Sequence, residues 1–266
     1  MTTNECPDRR SSLRRFCKAA LVLTAFLWSA GAGAAEPAEV LKAAVEKLAR
    51  GGNYTWTTTY TFPDAPIHPG PLSGQIDASG YVLLSQNVGR GDFQAVIQDG
   101  VGVLKLPVGW LSAAEITEGS PQGAPGPAML MSRVLFNVRR PDVEAAEFLK
   151  LGATFSEDDK GVITEQLSES AAVTLIRKGV TGRPNPQSPP LREAKGSIKF
   201  WIAGGAIEKY EIALQAKLLP SAHLGAVDFK PTTTVEITNV GSTKVRVPDA
   251  AREKLAALKA APAAAK

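Results

Sequence analysis

Residues 195–218, KGSIKFWIAGGAIEKYEIALQAKL, alternate apolar and polar side chains on both sides of the pair Gly204-Gly205. Alternation with a period of two puts every second side chain on one face of a strand. Two glycines between two such runs make a tight antiparallel turn. This hairpin fixes the class of the fold, because the segments around it read the same way. Downstream, TTTVEITNV and TKVRVP are strand-like. The chain then closes on a helix, PDAAREKLAALK, with Asp249 near its start and Lys254 and Lys259 toward its end, the arrangement a helix dipole favours.

Upstream, residues 37–50 place Val40, Leu41, Ala44, Val45 and Leu48 on one stripe, with Pro37 suited to the first turn and Gly51-Gly52 to the stop. The spacing predicts an amphipathic helix. Directly after it, NYTWTTTYTF sets Tyr54, Trp56, Thr58, Tyr60 and Phe62 on one face of a strand and four threonines on the other. GQIDA, GYVLLSQNV, DFQAVIQ and VGVLKL follow as a meander, with Asp99-Gly100 a strong hairpin signal. Residues 111–180 are more helical, in GPAMLMSRVLFNV, PDVEAAEFLKLG and SESAAVTLIRKG, around a short strand pair at 153–166 whose turn is SEDDKG. FPDAPIHPGPLSG, GSPQGAPGP and GRPNPQSPPLRE read as loops, since proline cannot donate to a sheet ladder. Short strands joined by tight turns pair antiparallel, so the fold class is α+β.

The N-terminus carries Arg9, Arg10, Arg14, Arg15 and Lys18 ahead of the apolar run 19–30, then AGAA. A basic n-region, a short h-region and small residues define a secretory signal peptide, cleaved near Ala34 or Ala35. The arginine pairs also invite twin-arginine export, but neither has the full flanking pattern, and general secretion is the default. The domain reading is 1–35 signal peptide, 36–260 a single α+β domain and 261–266 a flexible tail. The expected location is the periplasm or the exterior. After cleavage 25 basic and 24 acidic residues remain, so the basic balance belongs to the leader and gives no argument for nucleic acid. Cys6 and Cys17 leave with it. The remainder is expected to be free of disulfides and lipid, with no transmembrane segment.

Little in the chain looks catalytic. His68 and His223 stand alone in loops, too few for a metal site without cysteine, and no metal or other cofactor is expected. GxSxG, GxGxxG and GxxxxGK[ST] are absent. SEDDKG reads as a polar turn rather than an acid–base pair. No catalytic residue is assigned, and a hydrolase is the least favoured of three readings. The candidate ligand-binding residues are apolar: Tyr54, Trp56, Tyr60 and Phe62 from the aromatic strand face, and Met129 and Met131 from the adaptable run AMLMSRVLF. Core packing is the favoured explanation of both groups, and a ligand cavity is the alternative.

A helix running into a long aromatic strand, a meander, then strands and a closing helix resembles the outer-membrane lipoprotein carrier superfamily, LolA-like and LppX-like. The resemblance rests on VLKAAVEKLARGGNYTWTTTYTF, GSIKFWIAGGAIEKYEIAL and TTTVEITNVGSTKVRVPDAAREKL. It implies a curved antiparallel sheet forming an unclosed half-barrel of roughly nine to eleven strands, helices on its concave face and a C-terminal helix. It also implies that Ile198, Phe200 and Ile202 turn to one face and Lys199 and Trp201 to the other. The carriers use an arginine on an early strand. The matching SGQIDASGYVLL has none, so a lipid or acyl-bearing ligand fits better than lipoprotein handover. The alternative is an envelope interaction module that binds a protein partner and no small ligand.

Overall fold

The computed structural model describes residues 36–63, 69–87, 91–119, 126–151, 154–179, 190–219 and 226–260. They fall in the compact unit Ala35–Lys266. The expected leader and tail, His68, His223 and parts of the three proline-rich loops lie outside the described residues.

Helix α1 (Pro37–Gly51) starts at Pro37 and stops where Gly52 turns left-handed at φ 66°. It feeds β1 (Tyr54–Thr61), and the meander follows as β2 (Leu72–Ile76), β3 (Val82–Asn87), β4 (Asp92–Gln98), β5 (Val101–Leu106) and β6 (Gly109–Ser112). Then come α2 (Ala113–Glu118), α3 (Pro127–Leu135) and α4 (Pro141–Phe148), the hairpin β7 (Thr154–Glu157) and β8 (Ile163–Gln166), and α5 (Glu169–Lys178). The chain finishes with β9 (Leu191–Ala203), β10 (Ala206–Leu218), β11 (Val227–Phe229), β12 (Thr232–Thr238) and α6 (Asp249–Ala260).

All the strand pairs are antiparallel, in the order β6-β5-β4-β3-β2-β1-β12-β10-β9-β8-β7, with β11 beside β10. The ends β6 and β7 do not pair with each other among the described residues, so the sheet is an unclosed half-barrel of 12 strands. The quoted hairpin is β9–β10. Ala203 pairs with Ala206 across Gly204 and Gly205, whose φ values of 55° and 71° suit a two-residue turn with the twist of the strands. Asp99 and Gly100 turn β4 into β5 in the same way, at φ 52° and 77°.

One face of this sheet is the core. Leu41, Ala44, Val45 and Leu48 of α1, Ile116 of α2, Met131 and Leu135 of α3, and Ala145 and Phe148 of α4 pack on Tyr54, Trp56, Leu84, Leu104, Ile198, Phe200 and Tyr210. Helix α5 joins this side through Ala172 against Ala194 and Ala216. Helix α6 takes the opposite face, where Ala251 and Leu255 meet Val96 and Val103. Ile198 and Phe200 are fully buried inward, and Trp201 faces outward with the Lys209 ammonium 4.5 Å from its ring centre. The inner face runs in rows across the strands. One row is Tyr60, Thr233, Ile212, Ile198, Glu165, Phe155, and its neighbour is Thr58, Val235, Tyr210, Phe200, Ile163, Glu157.

The details that differ from the sequence reading have local causes. TKVRVP forms no strand. Thr243 is tied to the start of β1 by side chains, its carbonyl accepting from Asn53 Nδ2 and its hydroxyl meeting that of Thr55, and Val245 and Val247 pack under α6 instead of joining the ladder. The strands β6 and β11, of four and three residues, are too short to show a period. The SEDDKG turn is as expected: Asp158 Oδ1 accepts from the backbone N–H groups of Lys160 and Val162. These bonds hold the Asp158 carboxyl below its ordinary pKa.

Candidate functional site

A cavity of about 120 Å³ lies between α4, α5 and the inner face of β1, β12, β10 and β11. Its floor is set by strand register: Tyr60 and Thr233 are cross-strand partners, Thr233 pairs on with Ile212, and Thr58 and Tyr210 come from the next row. Phe62 and Phe229 close one end with ring centres 6.3 Å apart. Phe148 of α4 and Leu175 and Ile176 of α5 complete the apolar wall. One buried water takes up roughly 10–15 Å³ of such space, so there is room for a single ring or a short run of acyl carbons but not for a whole lipid.

Helix α4 is held over this floor by polar contacts. The Tyr54 hydroxyl donates to Asp142 Oδ1 at 2.6 Å, and Arg140 clasps the same carboxylate with Nε at 3.1 Å and a terminal nitrogen at 2.8 Å. Burial and then the Asp142 charge push the Tyr54 phenol well above its usual pKa. Glu144 and Glu147, three residues apart on α4, share one face of the helix, which is the cavity face. Glu144 accepts a hydrogen bond from the Tyr210 hydroxyl. Burial raises its pKa, opposed by that bond and by Arg139. Burial and then the Glu144 charge hold the Tyr60 and Tyr210 phenols un-ionised.

At the margin Glu147 pairs with Arg139 and with Lys178 of α5, the latter at 3.3 Å. Burial works against the Glu147 charge, but the Arg139 contact and the Lys178 ammonium outweigh it and leave its pKa lowered. The side chains of this trio are a quarter to a third exposed. The cavity is therefore apolar in most of its wall, with a short polar strip of hydroxyls and carboxylates inside and a charged edge. Among the described residues no group of three metal-ligating side chains occurs.

Of the residues singled out from the sequence, Tyr60 and Phe62 line this cavity. Tyr54 and Trp56 are each 1% exposed and sit in the core at the other end of the same strand face. Met131 is also in the core, and Met129 lines a separate depression with Phe136, Arg133 and Asn137. Glu144, Glu147, Arg139 and Tyr210 were not anticipated. On α4 their signal in the sequence is only the i, i+3 spacing of two glutamates, which a solvated helix face shows equally well.

No family model matches the chain, and no curated protein matches it. The chain is similar to the crystal structure of Mycobacterium tuberculosis lipoprotein LppX at 12% identity, over 80% of this chain and 98% of that one, with a TM-score of 0.41. It is also similar to LprF from Mycobacterium bovis at 10% identity, over 81% and 97%, with a TM-score of 0.37. The S-type phycobiliprotein lyase CPES from Guillardia theta matches at 8% identity, over 78% and 97%, with a TM-score of 0.23. At these values the likeness concerns fold alone, and the argument for function rests on the cavity.

Proposed function

We propose that this chain is an exported, non-catalytic binding protein whose inner cavity takes an apolar or amphiphilic small molecule, such as part of an acyl-bearing compound. The observation that carries the reading is the cavity itself, walled by Phe62, Phe148, Leu175, Ile176, Ile212 and Phe229. Protein interiors hold few voids, and an apolar wall left against water is unfavourable. Each ligand CH₂ placed there contributes about 0.8 kcal/mol. No described helix is long and apolar enough to cross a membrane.

A second reading has its own observation. On the outer face a groove runs along Trp201, Lys209 and Glu236, where a protein partner could lie against β9, β10 and β12. One experiment separates the two. Protein purified gently after export is expected to bind a neutral hydrophobic fluorophore saturably, and Thr233→Phe, which fills the floor from an inward strand position, should abolish uptake without unfolding the sheet. A folded protein with no saturable uptake of fluorophore, fatty acids or phospholipids would remove the cavity reading and leave the outer groove.

Export is checked on the same sample. Its intact mass should correspond to a start at Ala35 or Glu36 with no lipid adduct, because the only cysteines lie upstream. A chain retaining Cys17 with acyl groups attached would overturn this.

A further inference from the structure

We propose that the polar group of the bound molecule is a neutral hydroxyl, as in a long-chain alcohol or an acylated polyol, held between the Tyr60 hydroxyl as donor and the Glu144 carboxylate as acceptor. This rests on the cavity being the ligand site.

Hydrogen bonding comes first. The Tyr60 hydroxyl has no hydrogen-bond partner among the described residues, although the residue lines the cavity. Tyr210 is already committed, donating to Glu144 Oε2. Glu144 keeps its other oxygen, with further lone pairs free to accept. A group that can both accept from Tyr60 and donate to Glu144 completes the strip. A hydroxyl does this with one atom, whereas an ether can only accept and an alkyl chain can do neither.

Charge points the same way. The acidic and basic side chains around the cavity are Glu144, Glu147, Arg139 and Lys178. Burial raises the pKa of Glu144, opposed by the Tyr210 hydroxyl, Arg139 and Lys178 and reinforced by the neighbouring Glu147. A carboxylate or an ammonium on the ligand would bring its own desolvation cost into a low-dielectric interior, and a neutral hydroxyl brings a far smaller one.

The test is displacement of N-phenyl-naphthylamine from the exported protein at pH 8 by four probes with the same ten-carbon tail: decanol, decyl methyl ether, decanoate and decylamine. Decanol is expected to bind tightest, about tenfold ahead of the ether, which cannot donate to Glu144. Tyr60→Phe should cost decanol about fivefold while the variant keeps its folded spectrum. Glu144→Gln should narrow the gap between decanol and the ether and raise the affinity for decanoate. Decanoate or decylamine binding as well as decanol would overturn the assignment, as would an unchanged decanol affinity in Tyr60→Phe. Equal displacement by all four probes would sink the hydroxyl assignment and leave the cavity reading standing. If the fluorophore itself does not bind, the cavity reading fails with it.

Discussion

Replacing Glu165 with methionine should raise the unfolding free energy at pH 8 by about 3 kcal/mol and flatten its pH dependence. Glu165 projects inward from β8 in the row between Ile198 and Phe155, is 0% exposed, and neither carboxylate oxygen has a hydrogen-bond partner. A buried polar group without a partner keeps its full desolvation cost. Burial raises its pKa from 4.5 to about 7. Because the folded value lies above the unfolded one, the folded state holds the proton more tightly. The stability linked to this group is complete below about pH 4.5, falls as the pH rises toward about 7, and stays low beyond. At about 1.36 kcal/mol per unit the span comes to roughly 3 kcal/mol. Methionine is similar in length, unbranched and uncharged, so it removes the slope while filling the space. Urea titrations at pH 4.5 and pH 8 on both proteins measure it. A wild type equally stable at both pH values, together with a variant no more stable at pH 8, would show that the carboxyl is solvated in solution.

Trp56→Ala should destabilise the protein by about 3–5 kcal/mol, as large-to-small changes in a filled core do. Trp56 is 1% exposed, with its ring centre 5.7 Å from that of Tyr54. Its indole lies across its partner on β2, Gly74, where an added Cβ would come within 2.1 Å of the ring. Gly74 is therefore the slot that admits the tryptophan. Gly74→Ala should be costly in the wild type and close to neutral once Trp56 is alanine, and a double-mutant cycle reads that coupling. A single-mutant cost below about 1 kcal/mol would take Trp56 out of the core.

Much of the architecture was legible because it depends on nearest neighbours. The alternation in 195–218, the Asp99-Gly100 turn, the stripe of α1 and the end charges of α6 each need only a local pattern and a stop signal. The cavity was legible only in part. Alternation along 54–62 shows which side chains share a face, but not what covers each one. Tyr54 and Trp56 lie under packed helices, while Tyr60 and Phe62, a few residues on, face open space. That difference is decided by where α4 and α5 come to rest, and so by contacts such as Tyr54 to Asp142, 88 residues apart. Glu165 was hidden for a related reason: in ITEQ it looks like a solvated residue, and only the pairing of β8 with β9 turns it inward.

The pairing of β1 with β12 has a consequence for how the chain reaches this state. Segments 54–61 and 232–238 lie side by side in the middle of the sheet, so its centre can form only when nearly all of the chain is present. The meander β2–β6 can assemble by local hairpins, but until β12 arrives β1 offers it an open edge of unpaired N–H and C=O groups. Contacts this distant in sequence place the chain among slow folders, in the range of roughly milliseconds to seconds, and expose that edge to wrong partners in the interval. A chain ending before residue 232 would keep its first hairpins and lose the seam that joins them to β9 and β10, leaving an aggregation-prone fragment rather than a smaller domain.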